Sequence, residues 1–152
     1  YKGKMTTLVR GKDLTGEAIK DVLKDCKVLV TYNGSSYDLP IIQYHYPLAL
    51  PRVPHFDLRH GCRKIGLTGG LKKVERSMGI NRCREIEYMT GEEAVYLWRI
   101  WERKGRENAL NLLKRYNMED TENLKPIAEH TYCTLKEMIL SERDPDERRN
   151  GE

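Results

Sequence analysis

Two carboxylates and a phenol stand out for the chemistry they could do together. Asp38 follows the turn-forming pair Asn33-Gly34 at the end of an apolar run, and Tyr116 and Asp120 lie four residues apart in a helical pattern. Residues at i and i+4 project from one helix face, so this phenol and carboxylate share a side. Carboxylates gathered at one rim of a sheet bind hard divalent cations, because Mg²⁺ and Mn²⁺ prefer oxygen ligands and keep several waters. Two such ions about 4 Å apart activate a water and stabilise the leaving oxygen in phosphodiester hydrolysis. A nearby phenol can orient that water. Each piece also has a plainer reading. Asn-Gly after a strand makes a turn, Asp38 could do no more than cap the helix behind it, and a chain with nine tyrosines can hold Tyr-x-x-x-Asp by chance. On the Asn33–Asp38 stretch alone the plainer reading is the stronger. The combination on one α/β scaffold is what points to a site.

The elements that must position these residues are legible in order. Val28 to Tyr32 is a short, β-rich apolar run of the length of a buried strand, and its end is where α/β sheets place ligands. Asp38 to Tyr46 reads as a short helix stopped by Pro47. Val53 to Leu58 reads as a second short strand with Asp57 near its end, followed by one or two helical turns over Arg59 to Ile65. Upstream, Lys4 to Arg10 alternates enough to predict a strand, and Gly11 to Cys26 a helix capped by Asp13 or Thr15. Gly66 to Ile80 predicts a glycine-rich entry, a helix and a glycine stop. Its Gly69-Gly70 before Lys72-Lys73 could offer amides and ammonium groups to a phosphate, although on its own a loop and a basic helix face is the stronger reading.

Asn81 to Met89 reads as irregular, with Arg82 and Arg84 exposed. Thr90 caps a long amphipathic helix through Lys104, in which Val95, Trp98, Ile100 and Trp101 are expected in the core. Arg106 to Tyr116 predicts a further helix running on or bending toward Leu140, with a break at Leu124 to Pro126, since proline lacks the amide proton and clashes with the preceding turn. Residues 141–152 lack any apolar side chain and read as a disordered charged tail behind a single domain over 1–140.

Composition sets the class. At 152 residues, 39% hydrophobic and 33% charged, the chain suits one soluble domain with a real core. No run is long and apolar enough for a membrane span. Cys26, Cys62, Cys83 and Cys133 show no paired spacing, as expected of free thiols in a reducing cytoplasm. The net charge of +4 permits nucleic-acid binding without demanding it.

With these residues in view, the chain resembles the ribonuclease H-like DEDD superfamily of 3′–5′ exonucleases, and within it the small YprB-like ribonuclease H-like domains of bacteria and archaea. Asn33-Gly34-Ser35-Ser36-Tyr37-Asp38 is similar to the second exonuclease motif, and Tyr116-Asn117-Met118-Glu119-Asp120 to the third in its tyrosine form. Between them, His55 to Leu58 and Gly70 to Ile80 are similar to segments in the same order. The resemblance implies an α/β fold, a ribonuclease H-like mixed sheet flanked by helices with a helical C-terminal half. It implies a nuclease using Mg²⁺ or Mn²⁺, with nucleic acid, DNA or RNA, as its partner. Asp38 would support a metal through water and Asp120 would ligate one directly. Tyr116 would position the attacking water, and Asn33 would shape the loop or touch substrate, with Lys72 and Lys73 toward phosphate. Asp57 is as much a structural as a functional candidate.

One departure matters. The first motif of the resembled family, Asp-x-Glu on the first and central strand, bridges both metals, and no strand before Asn33 carries it. The only Asp-x-Glu is Asp120-Thr121-Glu122, out of place. Either the chain is a fragment or it is a degenerate relative; its start at Tyr1, where the third strand of the family would lie, favours the fragment. As given, it is expected to be inactive or nearly so. A non-catalytic nucleic-acid-binding module using Lys72, Lys73, Arg76, Arg82 and Arg84 is the alternative, and an interaction domain whose Trp98–Trp101 helix packs on a partner is the third reading. A sheet with unpaired edges is further expected to drive homo-oligomerisation or aggregation.

Overall fold

The computed structural model describes residues 3–143, with side chains through Ser141. Its first helix, α1 (Gly16–Leu23), begins where Thr15 accepts the Ala18 amide proton at 3.1 Å, the role proposed for a capping threonine. The segment before it is not a strand. The Val9 carbonyl accepts from the amides of Lys12, Asp13 and Leu14, so the chain turns back on itself there, and the alternation of Lys4 to Arg10 has no neighbouring strand to serve.

Strand β1 (Leu29–Thr31) leads into helix α2 (Asp38–His45) and then strand β2 (His55–Asp57). The two strands pair in parallel, Leu29 with His55, Val30 with Phe56 and Thr31 with Asp57. Parallel neighbours need a crossover connection, and α2 supplies it. The sheet has these two strands alone among the described residues, where a larger mixed sheet was expected. Pro40 sits in the first turn of α2, where its missing amide proton costs nothing.

Helix α3 (Leu58–Lys64) starts directly from β2, and α4 (Leu71–Ser77) follows the glycine-rich entry. Leu58, Cys62, Val74 and Ile127 form the buried cluster, with Val30, Tyr32, Phe56, Leu67 and Leu71 packed around it. Gly61 allows the close approach of α3 to the last helix: a Cβ there would lie 2.8 Å from the Thr131 methyl and 3.0 Å from the Phe56 ring.

Helix α5 (Gly91–Lys104) opens with a full capping box, Thr90 Oγ1 accepting from the Glu93 amide and the Glu93 carboxylate accepting from the Thr90 amide. It ends at Gly105, left-handed at φ 60°, and a helical hairpin carries the chain into α6 (Glu107–Glu122). Trp98 and Trp101 are half-buried, with Arg10 over one ring and Lys12 over the other; Val95 is exposed rather than core. A single residue, Asn123, separates α6 from α7 (Leu124–Arg143). The break expected at Leu124 to Pro126 falls one residue earlier, at Asn123, and Pro126 lies in the first turn of α7. That helix continues to Arg143, into the segment expected to be a disordered tail; residues 144–152 lie outside the described residues.

Candidate functional site

The end of β1 is organised by Asp57. The register places this residue opposite Thr31, and its carboxylate, buried with the residue 7% exposed, gathers the loop beyond the strand. The amides of Asn33 and Ser35 donate to it at 2.7 and 3.1 Å, the Ser35 hydroxyl donates at 2.5 Å, and the Arg59 amide donates at 3.2 Å as Asp57 caps α3. Burial pushes the Asp57 carboxyl up, but these donors, the Ser35 hydroxyl foremost, outweigh it and hold the pKa below the ordinary aspartate value. Asn33 takes the left-handed conformation, φ 63°, one that asparagine tolerates, and its side-chain oxygen accepts from Arg59 Nη1 at 2.7 Å. Gly34 packs so tightly on Thr31 that a Cβ would fall 2.5 Å from the threonine hydroxyl oxygen.

Asp38 stands exposed at the first position of α2. It does not cap the helix: Tyr37 holds the N-cap position, without a side-chain hydrogen bond. The rim therefore presents a rigid Asn33–Ser35 loop and one solvated carboxylate.

The second half lies on α6. Tyr116 and Asp120 do share a face, and the residue they turn to is Arg82. Far from exposed, the Arg82 side chain is 3% accessible, donating through Nε and Nη2 to the two oxygens of Glu75, both at 2.7 Å. The same Nη2 meets Asp120 Oδ1 at 2.5 Å. Glu75 is itself 2% accessible and also accepts from the Asn123 side chain at 2.9 Å. Arg82 thus ties α4, the loop after it and α6 together. Its Nη1 is buried without a hydrogen-bond partner among the described residues. Burial opposes the charge on Arg82, yet its bonds to Glu75 and Asp120 outweigh this and raise its pKa further.

Tyr116 has two cations over its ring, Lys72 Nζ at 5.1 Å and Arg82 Cζ at 5.5 Å from the ring centre. The Lys72 ammonium donates to the carbonyls of Ile86, Glu87 and Met89, so it pins the irregular stretch before α5 onto α4. Burial, then the Arg82 charge, lower the Lys72 pKa. Burial raises that of Tyr116, and the Asp120 charge adds to the shift. Burial also raises Asp120 against the pull of Arg82. A cleft of about 270 Å³, lined by Lys72, Arg76, Arg82, Tyr88, Thr90 and Tyr116 among others, opens beside this group.

The structure therefore brings Tyr116, Asp120 and Lys72 into one group, and Asn33 into another with Asp57 and Arg59. Lys73 lies with its stem against Gly69, where a Cβ would come within 2.7 Å of it. Asp38 and Asp120 do not build a shared ligand set: among the described residues no three His, Cys, Asp or Glu side chains converge so as to hold a metal ion. As arranged, the residues present do not fit a divalent ion, because Asp120 faces a guanidinium where further carboxylates would be needed. Sequence reasoning missed Glu75 and the burial of Arg82. A signal for Glu75 was present: with Leu71, Val74 and Met78 it occupies an i, i+3, i+4, i+7 stripe, the spacing of a buried helix face.

Residues 3–132 match the family model of the RNase H superfamily. No curated protein and no solved structure matches the chain.

Proposed function

Because the chain belongs to the RNase H superfamily, we propose that it acts on nucleic acid, as a nuclease domain of the 3′–5′ exonuclease type. Asp38, Tyr116 and Asp120 are its catalytic positions in this reading; Asp38 and Asp120 would face Mg²⁺ or Mn²⁺ only with further oxygen ligands that the described residues do not bring to them. Such ions would supply charge neutralisation and an activated water. Tyr116 would orient that water, and Asn33 and Lys73 would meet the substrate. Lys72, with its ammonium spent on three carbonyls, would act by holding the cleft wall rather than by binding phosphate. The observation that carries the proposal is the placement of Tyr116 and Asp120 on one face of α6, with Tyr116 lining a cleft of mixed charge in which Lys72, Arg76 and Arg82 stand beside Glu75 and Glu87. The free thiols Cys26, Cys62, Cys83 and Cys133 suit a reducing, cytoplasmic setting, and no described helix is long and apolar enough to cross a membrane.

A second reading, a nucleic-acid-binding module without catalysis, is favoured by one specific contact: Arg82 on Asp120. The 152 residues also carry no Asp-x-Glu ahead of Asn33, so hydrolysis by these residues alone is expected to be nil or nearly so. Binding of end-labelled single-stranded DNA and RNA by the full chain, followed by fluorescence anisotropy, tests what the two readings share. Salt-sensitive binding is expected, since phosphate contacts release counterions. Absence of binding at low salt to either polymer would sink both. Release of mononucleotides in Mn²⁺ that Asp120→Asn abolishes selects the exonuclease; binding that survives Asp120→Asn, with no release, selects the module.

A further inference from the structure

We propose that the cleft beside Tyr116 seats a phosphate group, held by Arg82 Nη1 and by the amide that opens α5. The proposal goes beyond the nuclease reading and needs neither hydrolysis nor a metal. A guanidinium carries five N–H donors in a fixed fork. In Arg82, Nε and Nη2 turn theirs to Glu75 and Asp120. Both N–H groups of Nη1 remain, on a nitrogen buried without a hydrogen-bond partner among the described residues. The side chain is 3% accessible, and Arg82 lines the cleft. Buried donors are nearly always paired, so an orphan at a cleft marks the place of an acceptor.

A second donor meets the same cleft. Thr90 and Gly91 line it, and they are the N-cap and the first residue of α5, a helix of 14 residues. The Thr90 and Glu93 amides are taken up by the capping box and that of Ala94 by the first helical bond. The Gly91 amide has no acceptor within the helix, as at any first position, and a helix N-terminus favours an anion. Lys72, Arg76 and Arg82 in the lining stand against Glu75 and Glu87, so charge there is close to balance. Converging donors, rather than bulk charge, therefore select the ligand. A phosphate monoester, with three free oxygens, suits donors from separate elements better than a carboxylate with two. The cleft, at about 270 Å³, is near the lower bound of small-molecule sites, about 300 Å³, which leaves room for a small ester group. Its wall is set beforehand, because Lys72 pins the carbonyls of Ile86, Glu87 and Met89. Preorganised donors bind with less ordering cost.

Calorimetric titration of the full chain with inorganic phosphate and with adenosine monophosphate tests the seat. Both are expected to bind saturably, and Gly91→Pro to weaken both about tenfold or more, the loss of one hydrogen bond to a charged acceptor. Proline is well suited to the first position of a helix. Thr90 already has the extended backbone that a following proline requires, φ −91° and ψ 166°, and a Cβ at Gly91 meets nothing within 4 Å. The variant thus removes a donor and keeps the fold. Arg82→Lys keeps a charge beside Glu75 and Asp120 but deletes Nη1, and is expected to lose binding. Should it fail to fold by circular dichroism, the Arg82 Nη resonances of the parent take its place and are expected to shift along the phosphate isotherm. Absence of saturable binding, full affinity in Gly91→Pro or in a folded Arg82→Lys, or Arg82 resonances unmoved at saturation would each overturn the seat and leave Nη1 to a bound water. Oligonucleotides with and without a terminal phosphate identify the source. A phosphorylated strand that binds more tightly than adenosine monophosphate keeps the seat and assigns it to a strand end; the reverse order keeps it and assigns it to a free small ester. Binding of phosphate with neither strand bound keeps the seat and removes the nuclease reading.

Discussion

Asp57, a structural as much as a functional candidate in sequence, serves the backbone in structure. It accepts from two loop amides, one hydroxyl and its own helix cap, and these donors depress its pKa. A carboxyl with a folded-state pKa below its unfolded value stabilises fully above the unfolded value and loses that contribution as pH falls through the folded one. From an ordinary value of 3.8, the loss therefore begins near that pH and proceeds downward. Asp57→Asn is expected to cost about 2–3 kcal/mol at neutral pH, as an amide replaces a charged acceptor of several donors. It is also expected to flatten the acid limb of the stability profile. Urea unfolding of both proteins from neutral pH into the acid range measures both effects, and parallel profiles would contradict the assignment. The sequence carried the turn and the carboxylate at this rim, because Asn33-Gly34 is local chemistry. It did not carry the link between them, which depends on a strand register 24 residues away. The same limit hid Arg82: its partners Glu75 and Asp120 are brought to it by folding, and an arginine in an irregular stretch reads as solvated until they are seen.

At the scale of elements, the helices were the legible part. Thr15, Thr90, Gly79 and Gly105 mark ends through interactions within one turn of the chain, and such signals survive in a single sequence. Lys4 to Arg10 failed as a strand because alternation states a face and not a partner, and the two-stranded sheet offers it none. Packing between elements leaves a fainter trace, and Gly61 is the clearest case. Its missing side chain is what seats α3 on α7, with Thr131 Oγ1 and Cys62 Sγ in contact at 3.4 Å. Gly61→Ala gains in helix propensity, but overpacking the interface is expected to win, with a net loss of about 1–3 kcal/mol. Thr131→Ser deletes the nearest clashing methyl and keeps the hydroxyl, so the double variant should recover part of that loss. Denaturant midpoints of the four proteins close the cycle. Additive effects would mean that the two helices separate for some other reason.

For the whole molecule, the small sheet and its surroundings set a liability. With two strands in parallel, each of β1 and β2 keeps one edge without a strand partner among the described residues, and unpaired edges invite another chain to add to them. The apolar surface lies close in sequence to the same element: Val28 at the entry to β1 is half exposed, and Tyr37, Ile41, Tyr44 and Leu48 on and around α2 are exposed from 58% to 82%. Exposed apolar residues that cluster, rather than occurring singly, mark surfaces that become covered. A net charge of +4 spread over a domain of this size opposes close approach only weakly at physiological salt, where the screening length is about 8 Å. Self-association through this region is therefore expected for the 152-residue chain, with sedimentation velocity showing a weight-average mass that rises with concentration. Tyr44, the most exposed of the set at 82%, touches no buried cluster, so Tyr44→Lys adds charge to the patch without removing core packing and should move the distribution toward monomer. Added salt should leave association through an apolar face intact or strengthen it, whereas association by charge pairing would weaken. A parent chain that sediments as one monomeric species at every concentration would show that the edges are already blunted by the twist and shortness of the strands, and that α2 tolerates its exposure to water.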